Sequence, residues 1–277
     1  MLKTRVITAL VMMAVLLPSI FLLPQAAWAL LVAAFIGVAA WEWGALLKWQ
    51  ESGRRLLGVG VAGLCATLSI LDPAILGSMN QFAPASGWVL AFYVVAAAFW
   101  CLLMPFWLRS QWALGGGASG LLVGAIVLLP TWLAIVQLRT LGPWALLGVF
   151  AVVWMADIAA YFSGRAFGKR KMAPSISPGK TWAGAYGAVL GVVIYGLLVR
   201  FGAGWQLPSL PVWIVVLLFV TAISIIGDLY ESLLKRKAGI KDSSNILPGH
   251  GGVLDRIDSL TSTLPVVALL LTLYSTP

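Results

Sequence analysis

Between Val6 and Trp41 the chain runs for 36 residues without one Asp, Glu, Lys or Arg. No water-soluble fold tolerates that, because a charge-free run of this length has nowhere to go but a hydrocarbon phase. In such a phase each backbone N–H and C=O must be satisfied within its own segment. That leaves helices or a closed barrel, and the alternating pattern of a barrel strand is absent. The rest of the chain agrees: 61% of its 277 residues are hydrophobic and 10% are charged, against about 25% charged in soluble domains. A soluble enzyme, a disordered chain and a free nucleic-acid-binding domain are thereby excluded. The fold class is an all-α polytopic membrane protein.

Nine segments are apolar enough to cross a bilayer: about 6–23, 26–47, 56–72, 87–108, 117–138, 143–163, 182–200, 210–227 and 260–275. The opening Lys3 and Arg5, with Ala27-Trp28-Ala29 downstream, superficially resemble a secretory signal and its cleavage site. The apolar run is too long for that and a second span follows at once, so a retained first helix is expected. Basic residues test the count, since cytoplasmic loops concentrate Lys and Arg. With nine spans and a cytoplasmic N-terminus, the inside holds Lys3, Arg5, Lys48, Arg54, Arg55, Arg109, Arg165, Lys169, Arg170, Lys171, Lys180, Lys235, Arg236, Lys237, Lys241 and Arg256, and the outside only Arg139 and Arg200. That split, 16 against 2, also places the C-terminus at Pro277 outside. The net charge of +9 therefore reflects topology, and no nucleic-acid partner is expected. Cys65 and Cys101 lie in apolar runs and support neither a disulfide framework nor a zinc site.

Residues 1–140 form N-terminal spans with short loops. Residues 141–277 form a second region with two charged cytoplasmic loops, 164–181 and 228–258. The second loop holds Asp228, Glu231, Asp242, Asp255 and Asp258, five of the nine acids, with five of the eighteen bases and the single histidine, His250. At the end of the eighth span, Ser224, Asp228, Glu231, Ser232 and Lys235 fall at helical spacings of three and four. Ionisable groups at that depth are costly and point to function, although Asp228 could equally serve a structural ion pair. A basic cluster beside a span (Lys235, Arg236, Lys237, Lys241) most often anchors anionic headgroups. Next to carboxylates it fits a site that holds phosphates and a divalent metal together.

Pro248-Gly249-His250-Gly251-Gly252 reads as a tight turn that lets backbone approach a ligand. Asp255-Arg256-Ile257-Asp258 then opens the last helix with both acids on one side. A carboxylate cluster completed by Asp228 could hold Mg²⁺; dipole-favoured first-turn acids are the plainer alternative. A lone histidine makes no zinc site. Upstream, Asp157 lies in the sixth span and Gly179-Lys180-Thr181 resembles the end of a P-loop. That motif needs glycine where Pro174 stands and a preceding strand, which is not expected here. Lys180 remains a candidate phosphate contact. Glu42, between Trp41 and Trp43, reads as an interfacial residue, and the Gly120–Gly124 and Gly187–Gly191 spacings as close helix packing.

The stretch Ser232 to Asp258, with Lys235-Arg236, Lys241-Asp242, His250-Gly251-Gly252 and Asp255-Arg256-Ile257-Asp258, resembles the signature of the phosphatidate cytidylyltransferases (CDP-diacylglycerol synthases). The likeness extends to Trp154-Met155-Ala156-Asp157, Ala160-Tyr161 and Ser177-Pro178-Gly179-Lys180-Thr181, and it departs at Ile158 and Ala183. It implies reaction of CTP with phosphatidate in the membrane to give CDP-diacylglycerol and pyrophosphate, with Mg²⁺ and the number of metal ions left open. On that resemblance Asp228 and Asp255 bind metal, helped by Ser232 and Asp258. Lys235, Arg236 and Lys180 contact phosphates. Lys241, Arg256, Gly249, His250, Gly251 and Gly252 shape the CTP pocket, and Asp157 is a secondary polar or metal-site residue. A bacterial inner membrane is the expected location, and homodimerisation is left open. The competing classes are a transporter of an anionic solute, an assembly protein, and a CDP-alcohol phosphotransferase, whose Asp-x-x-Asp-Gly pattern is broken by Ser259.

Overall fold

The computed structural model describes residues 2–77 and 86–275. Its order is α1 (Leu2–Leu22), α2 (Gln25–Leu46), α3 (Glu51–Leu71), α4 (Gly87–Ala98), α5 (Met104–Ser110), α6 (Ala118–Leu138), α7 (Pro143–Phe167), β1 (Lys171–Ala173), β2 (Ser177–Thr181), α8 (Trp182–Gly202), α9 (Leu210–Ala238) and α10 (Leu254–Ser275). A π turn, Phe99–Leu103, joins α4 to α5 into one span, Gly87–Ser110. Among the described residues, nine helices are long and apolar enough to cross a membrane, and they coincide with the nine expected segments. Pro277 lies outside the described residues.

Two boundaries move in a way that matters. The eighth helix does not stop near residue 227 but continues to Ala238, where Gly239 takes a left-handed conformation and caps it. The ninth begins at Leu254 rather than near 260. Both helices therefore carry their charged residues on rigid, regular backbone. A β-hairpin that the sequence does not announce lies between α7 and α8: β1 and β2 pair antiparallel, with Lys171 opposite Thr181 and Ala173 opposite Ser177. Gly179, Lys180 and Thr181 stand in β2 itself, where a P-loop would place them after a strand.

Helix α6 is the axis of the bundle. Of its most apolar window 78% is buried, against 11% for α1, and it packs on α2, α4 and α10. Small residues set the closest approaches: a Cβ at Gly58 on α3 would meet the Gly37 carbonyl of α2 at 2.7 Å, and one at Gly191 on α8 would meet Ala159 of α7 at 2.5 Å. At one end of the bundle, buried Arg139 donates to the carbonyls of Ile20 and Leu23 and to Gln25, closing the C-terminus of α1. A cation suits that helix end, because the last carbonyls are unpaired and carry the negative pole. At the same end Trp88 and Ser86 donate to Asp72, and these hydrogen bonds hold its carboxyl below the usual carboxylate range.

Candidate active site

The opposite end collects the chemistry. Helix α7 brings Asp157, β2 brings Lys180, the last turns of α9 bring Asp228, Glu231, Ser232 and Lys235, and the first turn of α10 brings Asp255, Arg256 and Asp258. The end of α9 is held by aromatic edges: Tyr230 meets Trp107, Trp100 and Phe99 at centroid distances of 5.5, 5.6 and 5.9 Å. Thr181 accepts from the Gly184 backbone N–H at 3.1 Å and so caps α8, which fixes where the hairpin delivers its neighbour Lys180.

Lys180 Nζ stands 2.5 Å from Asp228 Oδ2, and the Ser232 hydroxyl lies 3.5 Å from Asp228 Oδ1. Asp157 and Asp258 face Asp228 closely enough to repel it, and Asp157 also feels Lys180 and Arg256. These four groups, with Ser232, make one half of the site. The other half is built on Lys235, whose ammonium donates to Asp255 Oδ1 at 2.6 Å and lies 3.4 Å from Glu231 Oε1. Asp255 Oδ2 accepts from Ser243 N, Ser243 Oγ and Gly252 N at 2.8, 2.9 and 2.8 Å. Both oxygens of Asp255 are thus engaged by protein donors, whereas the buried Glu231 carboxylate has no hydrogen-bond partner among the described residues. Asp228 and Asp255, the expected metal ligands, are each paired with a lysine.

The glycine loop is as tight as its sequence suggests. Gly249 and Gly251 have φ of +77° and +83°, His250 N donates to the Leu247 carbonyl at 2.8 Å, and Leu247 pairs with Gly251. His250 Nδ1 is buried without a hydrogen-bond partner among the described residues. Arg236, Lys241 and Arg256 are exposed; Arg236 donates to the Ile240 carbonyl at 3.1 Å. The two adjacent bases therefore differ, Lys235 turning inward to carboxylates and Arg236 outward.

Glu42 corrects the sequence reading. It is not interfacial but fully buried, and its oxygens accept from Ser243 Oγ, Ser244 Oγ, Val253 N and Leu254 N. Its flanking tryptophans suggested a membrane boundary. The better signal was an acid inside an apolar helix, which is costly unless it is partnered. Ser243 and Ser244 carried no recognisable signal of their own.

A chain of this fold and charge layout can be compared with known proteins. The model of the cytidylyltransferase family matches residues 3–274. The phosphatidate cytidylyltransferase of Pseudomonas aeruginosa is 43% identical over 274 residues, covering 98% of this chain and 97% of the relative. That of Haemophilus influenzae is 34% identical over 286 residues, covering 96% of each. That of Bacillus subtilis is 39% identical over 143 residues, 50% of this chain and 53% of the relative.

Proposed function

The chain belongs to the cytidylyltransferase family, and on that premise we propose how its charged end carries out the reaction for which its relatives are named. It is an integral membrane phosphatidate cytidylyltransferase, acting on CTP and phosphatidate in phospholipid biosynthesis. A phosphatidate oxygen attacks the α-phosphorus of CTP, a new P–O bond forms, and the bond to the bridging oxygen breaks. CDP-diacylglycerol remains in the membrane and pyrophosphate leaves with the electron pair. The observation that carries this reading is the concentration of acids and bases at one end of an otherwise apolar bundle. One substrate is soluble and the other is lipid, so their phosphates can meet only at such a boundary.

A phosphate monoester loses its second proton at about pH 6, so the nucleophile is already charged and needs no general base. Catalysis is then mostly positioning and neutralisation of phosphate charge. Lys180, Lys235 and Arg236 are assigned to the phosphates. Lys241, Arg256 and the loop Gly249-His250-Gly251-Gly252 are assigned to the nucleotide.

Mg²⁺ is the proposed cofactor, and the donor set suits it. Five carboxylates (Asp157, Asp228, Glu231, Asp255 and Asp258) face three cations (Lys180, Lys235 and Arg256). All offer hard oxygen, and ammonium groups already stand against Asp228 and Asp255. Among the described residues no three potential ligands are gathered as a closed metal cage. A divalent ion here would need substrate phosphates and water to complete its shell, and Mg²⁺ is usually held in that way by one or two carboxylates. One or two of Asp228, Asp255 and Asp258, with the Ser232 hydroxyl and with Asp157 nearby, would hold it. Bound there, it would neutralise phosphate charge.

The end with 16 bases is assigned to the cytoplasm and the membrane to the bacterial inner membrane, with the N-terminus inside and Pro277 outside. A homodimer is the assembly to test, by mass measurement in detergent. The activity itself is tested with purified protein, radiolabelled CTP, phosphatidate and Mg²⁺. A lipid-soluble cytidine product dependent on all three is expected, and its absence would refute the reading.

A further inference from the structure

One buried carboxylate lies outside the reacting cluster. Glu42 sits near the end of α2 with no exposed surface, in a helix otherwise apolar from Ala26 to Trp41. A charge there is costly unless every lone pair is used. Here four donors surround it: Ser244 Oγ at 2.6 Å and Val253 N at 2.9 Å on Oε1, Leu254 N at 2.6 Å and Ser243 Oγ at 3.1 Å on Oε2. All four come from the segment that carries the glycine loop and opens α10.

Two of those donors are backbone N–H groups at the very start of α10. They belong to the unpaired set that every helix N-terminus leaves, and a carboxylate complements the positive pole there. Glu42 is thus an N-terminal cap supplied by a different helix, some two hundred residues away in sequence. The loop is shaped to admit it. A Cβ on Gly252 would meet Glu42 Oε1 at 2.3 Å and Ser243 Oγ at 2.1 Å, and one on Gly251 would meet Asp255 Oδ2 at 2.6 Å. Each of these adjacent glycines makes room for a different carboxylate.

Ser243 connects the two. Its hydroxyl lies 3.1 Å from Glu42 and 2.9 Å from Asp255, and having one proton it can serve only one of them at a time; its backbone N–H also donates to Asp255. A continuous polar chain therefore runs from Glu42 through Ser243 to Asp255 and on to Lys235. Helix α2 does not need this chain to stay in place, being packed along α3 and α6. What depends on it is the loop and the first turn of α10.

We propose that Glu42 is a positioning residue for cytidylyl transfer: it touches neither substrate, but by clamping Ser243, Val253 and Leu254 it sets where Asp255, Arg256 and Asp258 stand. This rests on the cytidylyltransferase reading above.

The test is Glu42→Gln, an isosteric change that turns an N–H donor toward N–H donors. In detergent with CTP, phosphatidate and Mg²⁺, its kcat should fall about ten- to a hundredfold, the usual loss when a group orienting a ligand-holding residue is removed. KM for phosphatidate should stay within about threefold, since ground-state binding is not what is disturbed. Ser243→Ala should also slow turnover. The double variant should be little slower than the slower single variant, because both break one chain. A kcat within about twofold of wild type, or single losses that multiply in full, would overturn the proposal. If Glu42→Gln does not fold, Glu42→Asp keeps the charge but is too short to reach all four donors. It should show the kcat loss while remaining folded, and wild-type turnover there would overturn the proposal equally. A wild-type protein that makes no lipid-soluble cytidine product would sink the cytidylyltransferase reading and this inference together. An active wild type beside an equally active Glu42→Gln sinks only this one.

Discussion

Lys235→Met is the most informative single change for the stability of the site. The substitution keeps the length and apolar stem of the side chain and deletes only its charge. In the native arrangement that charge lies 2.6 Å from Asp255 Oδ1 and 3.4 Å from Glu231 Oε1, with side-chain exposures of 11% for the lysine, 2% for Asp255 and 5% for Glu231. Losing it leaves Oδ1 of Asp255 without its donor and Glu231 without any cation in contact. Breaking a buried pair by removing one partner costs about 3–5 kcal/mol. Glu231 can relieve part of that by taking up a proton, so the lower end, about 3 kcal/mol, is expected. At about 2–4 °C per kcal/mol for a chain of this size, Tm should fall by roughly 6–12 °C. The assay is thermal unfolding in detergent without substrates, followed by the fluorescence of the chain's 14 tryptophans. Adding Glu231→Gln to Lys235→Met should recover part of the loss, because it removes the carboxylate left uncompensated. Arg236→Met, one residue along but exposed, should leave Tm nearly unchanged. A Lys235→Met protein melting within about 2 °C of wild type would refute the claim that this ammonium holds α9 to α10.

Asp228→Asn should lose nearly all turnover while remaining folded; near-normal activity across a Mg²⁺ titration would remove this carboxylate from the site. Arg236→Lys should lower kcat by about ten- to a hundredfold at saturating substrates if the planar guanidinium grips a phosphate. Unchanged kcat with greater salt sensitivity would mark Arg236 as a headgroup anchor instead. Single cysteines placed at residues 241 and 206 in a background lacking Cys65 and Cys101 should label from opposite faces of the membrane, and labelling from one face would show the span count to be wrong.

The membrane architecture was readable because its signals are long and additive. Each span sums the hydropathy of about twenty residues, and the 16-to-2 distribution of bases checks the count independently. What escaped the sequence depends on single contacts. The hairpin at Lys171–Thr181 is short and contains Pro174, Pro178 and Gly179, so it shows neither alternation nor β-branched enrichment. Helical continuation of α9 past Asp228 was legible from spacings of three and four, and it placed Glu231, Ser232 and Lys235 correctly on one helix. Which acid meets which base was not legible. Asp228 and Asp255 bound one charged loop, and sequence proximity to a common loop suggested that they share an ion. In the structure each also has its own lysine; the one on Asp228, Lys180, arrives from the hairpin, an element the sequence did not announce. Glu42 was hidden for a related reason: its partners are some two hundred positions away and two of them are backbone groups, which have no sequence signature at all.

Arg139 and Glu42 show how the buried charges of this chain sort by role. Both are buried, and both lie at helix ends where backbone groups lack intrahelical partners. Arg139 meets the closing carbonyls of α1, and Glu42 meets the opening N–H groups of α10. Each charge opposes the pole of the helix it caps, so each is neutralised by fixed backbone dipoles and needs no ion. Asp157, Asp228, Glu231 and Asp258 differ in kind. Apart from a contact of Asp258 with its neighbour Ser259 N, none accepts from a backbone donor among the described residues; they face one another and a few lysines. A side chain held by backbone is spent on architecture, whereas one balanced only against other side chains can be re-paired by substrate phosphates. By that criterion Asp255 is intermediate. Its Oδ2 is fixed by Ser243 and Gly252 while its Oδ1 takes the Lys235 ammonium, so one oxygen fastens it to the loop and the other to a side chain of α9.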